Sequence, residues 1–384
     1  MTNKPNYTTK NKRTMAFKVE VNDLTKTATE FIPDGLNNFY LLCELAERGN
    51  AEAQYNLGVA HASGQCSAKD EAEAKEWFRK AAKQGFANAQ YNLGLLYSRA
   101  RYHGKPRDKE AVKWFRKAAE QGHANAQNML GVMYNRGQGV GMDRAAAEKW
   151  FRKAAEQGLV SAQNNIGRMY YGRSGDENEA EAEKWFREAA DQGDADAQYK
   201  LGSIYGWRHL LGKSKGREAV KWYCKAAEQG HVEAQSSLGN IYAGGRGVAK
   251  DETVAVKWYR KAAEQGYPDA QNRLADMYAE GRGVAKNEVE AIKWWRRAAA
   301  EMDSQAQYNL GVAYASGRGV AKNETEAVKW FRRAAEQHEY DQRARYELGR
   351  RLFYGIGVKR DEAGGKFWLE ASGTRKAKEL LKSI

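Results

Sequence analysis

The feature that most constrains this chain is a period. The stretch at 304–337, SQAQYNLGVAYASGRGVAKNETEAVKWFRRAAEQ, returns in altered copies at a near-constant interval. The small residue of its L-G-x-x-Y motif falls at Gly58, Gly94, Gly131, Gly167, Gly202, Gly239, Ala275, Gly311 and Gly349, in steps of 35 to 38 residues. A tryptophan keeps the same beat, at Trp77, Trp114, Trp150, Trp185, Trp222, Trp258, Trp294, Trp330 and Trp368, so the chain holds nine repeats. A chain built this way buries apolar faces between neighbouring repeats rather than in one central core.

Each repeat reads as two helices. Ala306, Leu310, Gly311 and Tyr314 share one face of the first. Asn323 opens the second, with Glu326 three residues on as a capping box, and the same box is expected at Asp70/Glu73, Asn178/Glu181 and Asn287/Glu290. The second helix is expected to bury Ala327, Trp330, Phe331 and Ala334. Gly85, Gly122, Gly158, Gly193, Gly230 and Gly266 stand where a left-handed residue ends it. From tryptophan to the next L-G position is 17 residues in seven of eight cases, so the turn between repeats is fixed and the turn inside a repeat is adjustable. That is the requirement of a stacked array of helical hairpins.

The residues A-x-A-Q-x-x-L-G-x-x-Y, then G-x-G-V, then A-x-x-W-F-x-x-A-A-x-Q-G resemble Sel1-like repeats, relatives of the tetratricopeptide repeat with a longer internal turn. The resemblance covers roughly residues 37–372. It implies an all-α fold, a right-handed superhelical α-solenoid of about nine helix-turn-helix repeats with capping helices. It also implies a non-enzymatic scaffold or regulator that holds a partner protein or peptide in its concave groove. A narrower version is a bacterial regulatory or immunity protein for one cognate effector.

The expected partition is a flexible basic arm at 1–36 containing the strand-like run AFKVEV, a capping helix at 37–50, nine repeats over 51–372 and a C-terminal capping helix at 373–384. Cys43, Cys66 and Cys224 give no disulfide framework. No apolar run is long enough to span a membrane, and the basic N-terminus lacks an apolar segment after it, so a cytoplasmic protein without a signal peptide is expected.

The net charge of +14 comes partly from that arm and partly from a column two residues after each tryptophan: Arg79, Arg116, Arg152, Arg187, Arg260, Arg296 and Arg332. One reading is a solvated outer face in which glutamates four residues earlier pair with the basic side chains. The other is a convex surface for nucleic acid or an acidic partner. The G-R-G-V turns at 245–248, 281–284 and 317–320 lack the strand before and the Gly-Lys-Ser/Thr after that phosphate loops need. They read as turn geometry, with Arg246, Arg282 and Arg318 as a short basic row. His61, His103, His123, His209, His231 and His338 show no metal spacing, and no nucleophile–base constellation occurs. Neither an enzyme nor a cofactor is expected.

Function is therefore expected in outward positions that vary between repeats. In the tetratricopeptide relatives the first helices line the concave face. Positions −3, +1 and +4 from the L-G glycine share one stripe there. The +1 row is apolar in the first three repeats (Val59, Leu95, Val132) and polar in the next four. Asn164, Arg168, Tyr171, Tyr199, Ser203, Asn240 and Asp276 are the expected contacts for a protein or peptide partner, acidic ones included. Trp207, Leu210 and Leu211, in the irregular turn at 206–217, form a second candidate contact. The near-constant Gln row, from Gln54 to Gln307, is expected to bond to neighbouring backbone.

Overall fold

Helices start in this chain where a short polar side chain can take a free backbone N–H. Asp70 Oδ1 accepts from the amides of Ala72 and Glu73 at 2.9 Å each, Asn287 from Glu290 at 3.0 Å and Asn323 from Glu326 at 2.9 Å. These three caps fall where expected, but the reciprocal half of the box does not form: the Asp70, Asn287 and Asn323 amides donate to the carbonyls of His61, Tyr278 and Tyr314 instead of to the glutamates. The box at Asn178 does not form: the helix already begins at Asp176, after Gly175. Asp176, Glu177 and Glu179 crowd its first turn, where the helix dipole stabilises negative charge.

The computed structural model describes residues 35–64, 70–99, 101–102, 105–172, 175–208, 213–337 and 341–383. The arm at 1–36 lies outside them except for Gly35 and Leu36, as do Cys66, His103, His209 and His338. The chain divides into two units, Met1–Ile166 and Gly167–Ile384. The first contains α1 (Gly35–Glu47), α2 (Ala51–Ser63), α3 (Glu71–Lys83), α4 (Ala87–Arg99), α5 (Asp108–Glu120), α6 (Ala124–Arg136), α7 (Arg144–Glu156) and the first part of α8 (Val160–Tyr170). In the longer basic turn of the second repeat, Arg101–Tyr102 (β1) pairs antiparallel with Lys105–Pro106 (β2). The second unit contains α9 (Asp176–Asp191), α10 (Ala195–Arg208), α11 (Lys213–Glu228), α12 (Val232–Gly244), α13 (Glu252–Glu264), α14 (Pro268–Glu280), α15 (Glu288–Ala300), α16 (Ser304–Ser316), α17 (Glu324–Gln337), α18 (Gln342–Tyr354), α19 (Glu362–Ser372) and α20 (Arg375–Lys382). From α1 to α7, and again from α9 to α20, each helix packs on the one before it. Both units are thus α-solenoids of helical hairpins.

Two contacts make the hairpins stack. The first lies inside a repeat, where an aromatic ring of the second helix rests on the L-G glycine of the first. A Cβ on Gly58, Gly94 or Gly131 would meet the ring of Phe78, Phe115 or Phe151 at 2.8, 2.7 and 2.6 Å. In the second unit Tyr223 and Phe331 lie as close to Gly202 and Gly311, at 2.6 Å. The aromatic on the glycine is therefore the residue after the tryptophan, while Trp185, Trp222 and Trp294 are themselves buried as expected. Trp77, Trp114, Trp150, Trp258 and Trp330 are only half buried. A lysine or arginine three residues on covers each ring, from Lys80 Nζ at 3.7 Å over Trp77 to Lys153 Nζ at 4.9 Å over Trp150.

The second contact joins repeats. Gln54, Gln90 and Gln127 donate through Nε2 to the carbonyls of Ala46, Ala82 and Ala119 in the preceding helix, at 2.9, 3.1 and 3.1 Å. Each accepts on Oε1 from the glutamine that ends its own repeat, Gln84, Gln121 or Gln157, at 2.7–2.8 Å. Gln198 and Gln235 repeat the pattern with Ala190 and Ala227 below, and with Gln229 and Gln265 as donors at 2.8 Å. The row does bond to backbone. A buried acceptor left without a donor costs about 1–3 kcal/mol, which explains why glutamine recurs.

The seam after the seventh repeat departs from this pattern. Glu301 stands where the donor glutamine belongs, and Gln271 Oε1 is buried without a partner. The next residue, Met302, holds φ 64° where the first six repeats place glycine and the eighth His338, and it is 66% exposed.

Two stability predictions follow from these contacts. Gly131→Ala should lower the unfolding free energy by about 1–3 kcal/mol through overpacking against Phe151, read as a lower urea midpoint by circular dichroism. Glu301→Gln with Met302→Gly should raise it by about 2 kcal/mol, by restoring one donor and removing left-handed strain. An unchanged midpoint for the pair would mean the seam is not strained.

Candidate functional site

On the inner row of the first helices, polar side chains bridge one repeat to the next. In the first unit Asn128 Nδ2 donates to Ser161 Oγ at 3.2 Å, and Asn128 Oδ1 accepts from Asn165 Nδ2 at 2.9 Å. Asn164 is buried in α8. The +1 residues Val59, Leu95 and Val132 are also buried, at 1%, 6% and 7% exposure, Val59 and Leu95 within the cluster that holds Phe78 and Phe115. These apolar +1 residues of the first three repeats are thus core and not groove lining.

The second unit keeps polar groups accessible on this row and gathers them in two places. In the first, Arg168 Nη2 bonds to Asp196 Oδ2 at 3.2 Å, and His231 Nε2 lies 3.1 Å from Asp196 Oδ1. His231 Nδ1 accepts the amide of Ala234 at 3.3 Å, so the imidazole caps α12 while it holds the carboxylate. Tyr199 stacks on His231 with centroids 4.6 Å apart, and Lys200 Nζ lies 5.3 and 5.4 Å from the Tyr199 and Tyr171 rings. The hydrogen bond from His231 and the surrounding positive charge hold Asp196 below the usual carboxylate range, against the opposing effect of burial. Burial, with Arg168 nearby, lowers the pKa of Lys200. Burial raises that of Tyr171.

The second place is the +1 row of the fifth to seventh repeats. Tyr223 Oη donates to Ser203 Oγ at 3.3 Å, Tyr259 Oη to Asn240 Oδ1 at 2.8 Å and Trp295 Nε1 to Asp276 Oδ1 at 3.1 Å. In each case the donor is the aromatic that occupies, or would occupy, the slot on the L-G glycine. Where +1 is aliphatic (Val59, Leu95, Val132, Val312), that aromatic is phenylalanine. The polarity of the row was visible in the sequence. Its pairing with a polar aromatic 19 or 20 residues later was also there, but only by reading the two rows together. Burial pushes the Tyr223 and Tyr259 hydroxyls up to about 12, so both stay neutral donors.

Asp276 differs from its neighbours in charge. Its Oδ1 also accepts from Asn309 Nδ2 at 3.1 Å, and that amide lies 3.4 Å from Asn272 Oδ1. Burial raises its pKa to about 6 despite those bonds.

The arginine column of the outer face is largely engaged with the frame. Arg79, Arg116, Arg260 and Arg296 donate to Tyr97, Tyr134, Tyr278 and Tyr314 of the following repeat at 3.1, 2.7, 2.9 and 2.7 Å, and Arg187 to Tyr205. Of the G-R-G-V arginines, Arg282 pairs with Glu252 and Glu280. Leu210, Leu211 and the Trp207 side chain lie outside the described residues.

Hairpins stacked by a fixed inter-repeat turn define a class, the α-solenoid whose repeats generally serve as non-catalytic frames for binding other proteins. Within that class the chain belongs to the Sel1 repeat family, whose repeat matches residues 51–86, 87–123, 124–159, 160–194, 195–231, 232–267, 268–301, 304–338 and 342–375. It is similar to a protective antigen of uropathogenic Escherichia coli displaying an SLR fold, with 34% identity over 90% of each chain and a TM-score of 0.52. It is also similar to a Sel1 repeat protein from Oxalobacter formigenes, with 30% identity over 94% of this chain and 92% of that one and a TM-score of 0.48. An immunity protein from Pseudomonas aeruginosa matches 56% of this chain and 83% of its own length at 22% identity, with a TM-score of 0.37. No curated protein matches the chain. No described helix is long and apolar enough to cross a membrane.

The raised pKa of Asp276 gives a prediction with a definite sign. Its folded value near 6 lies above the unfolded value of about 3.9, so the folded state binds the extra proton, and stability from this group falls as pH rises from about 4 to about 6. Asp276→Asn keeps the acceptor and removes the charge. Its unfolding free energy relative to the unsubstituted protein should rise by about 1–3 kcal/mol between pH 4 and pH 7, measured by urea titration at each pH. A difference that stays flat with pH would show that the carboxylate is well solvated.

Proposed function

We propose that this protein is a non-enzymatic interaction scaffold or regulator that holds a segment of a partner protein against the inner row of first helices in the unit Gly167–Ile384. The observation that carries this reading is the group at Arg168. The frame requires the glycine, the aromatic and the glutamine ladder. It does not require half-buried Lys200 beside the rings of Tyr171 and Tyr199, with Arg168 on Asp196 next to it. Rigid tyrosines and an arginine are the side chains that dominate binding energy at protein interfaces. The cations suit a carboxylate on the partner, and Ser203 and Asn240 extend the row. We place the protein in the bacterial cytoplasm, as a regulator or immunity protein for one effector, on the strength of its composition and its similarity to bacterial Sel1 proteins. Asn164, buried in the other unit, has no place in this contact.

The test is a peptide-display selection against the intact chain, followed by affinity measurements on the selected peptides. Arg168→Glu should weaken them by about tenfold or more while circular dichroism shows the same helical content. Equal affinity for the two proteins would refute the contact at Arg168.

A further inference from the structure

Asp276 differs from Asp251, Asp303, Asp341 and Asp361, which also lack a cation among the described residues of the second unit, because those cap helix N-termini and it does not. Asp196 has Arg168 and His231, Glu252 has Lys250 and Arg282, Glu324 has Lys322 and Arg351, and Glu347 has Arg350 and Arg351. Asp276, half buried in the middle of α14, has no such cation. The two nearest arginines are engaged elsewhere: Arg273 pairs with Asp269 at 3.7 Å, and Arg282 with Glu252 and Glu280. Both hydrogen bonds Asp276 receives are on one oxygen and come from neutral donors, Trp295 Nε1 and Asn309 Nδ2.

The frame does not need this charge. One repeat earlier, Asn240 receives the matching aromatic donor with a neutral amide. A half-buried carboxylate that an amide could replace is a cost unless something complements it.

The seventh repeat also breaks the rule that fixes the aromatic. Ala275 stands in place of the L-G glycine, so its Cβ takes space that a ring lies against elsewhere, and Trp295 stands in place of phenylalanine or tyrosine. The indole, half buried, turns its N–H to the acid. A carboxylate with a free oxygen next to an indole suits a lysine or arginine head, which takes a charge-assisted bond from one and a cation–π contact from the other.

We propose that Asp276, with the Trp295 ring beside it, is a subsite for a lysine or arginine side chain of the partner segment. It deepens the reading given above, since it places the basic contact on the same inner row as the cationic group at Arg168. A partner that used both would carry an acidic residue toward the fourth and fifth repeats and a basic one toward the seventh.

The experiment uses the full chain and a fluorescent hexa-arginine peptide at low salt. The net charge of +14 opposes adventitious binding of such a probe. The unsubstituted protein should bind it, shift the Trp295 indole N–H resonance, and lose affinity as pH falls through about 6. The other charged or titratable groups around Asp276 are Arg273, Glu280, Arg282 and Tyr259. Asp276→Asn, with unchanged helical content, should weaken binding about tenfold or more and abolish that pH response. Arg168→Glu should leave hexa-arginine binding intact, so a failure of the Arg168 contact and a failure of this subsite are separable. Equal affinity in Asp276→Asn, no binding by the unsubstituted protein, or a loss confined to Glu177→Gln and Glu179→Gln in the acidic helix α9 would overturn the proposal.

Discussion

A ring laid on a glycine sets the distance between the two helices in seven of the nine hairpins, and the other regularities follow from it. With no Cβ at Gly131, the ring of Phe151 can approach backbone that any larger residue would hold off. Close approach then leaves little room for side chains along the hairpin interior, and alanines fill it: Ala118, Ala119, Ala154 and Ala155 are all but inaccessible. Small interior residues contribute little apolar area each. The glutamine ladder, from Gln54 to Gln307, adds what that thin interior cannot, a directed bond across the seam that also fixes the register of one repeat on the one before it.

Most of this frame could be read from the period. The spacing marked the two helices, the glycines that end them and the fixed turn between repeats. Where the sequence misled, neighbouring residues had competing physical roles. Tryptophan and phenylalanine are adjacent in the second helices of the first four repeats and the eighth, and both suit a core. The structure assigns the slot to Phe78 or Phe115 because a single ring fits over a glycine, while the larger indole lies outward under a lysine. Asn178 had the spacing of a cap, yet the acidic run before it extends the helix.

The binding face was legible only in part, and for a different reason. Row-by-row comparison separates variable from constant positions, but a variable position can serve packing as well as recognition. Val59, Leu95 and Val132 vary slightly and are core. Ser203 and Asn240 are polar in part because Tyr223 and Tyr259 bring hydroxyl groups that need acceptors. His123 and His231, one residue past the turn glycines, cap α6 and α12 through Nδ1, a role their spacing from that glycine would have indicated.

Deviations that the frame explains are weak evidence of function, and deviations it leaves unexplained are stronger. Tyr259 with Asn240 is a matched exchange that leaves the repeat internally satisfied. The seventh repeat and its seam with the eighth are not balanced in this way. Ala275 displaces a ring, Asp276 carries a charge its bonds do not require, Glu301 leaves Gln271 Oε1 without a donor, and Met302 holds a backbone conformation suited to glycine. Natural chains keep such costs where function outweighs them, and the Asp276 carboxylate, where the preceding repeat manages with the amide of Asn240, is the departure with the clearest claim to a specific contact.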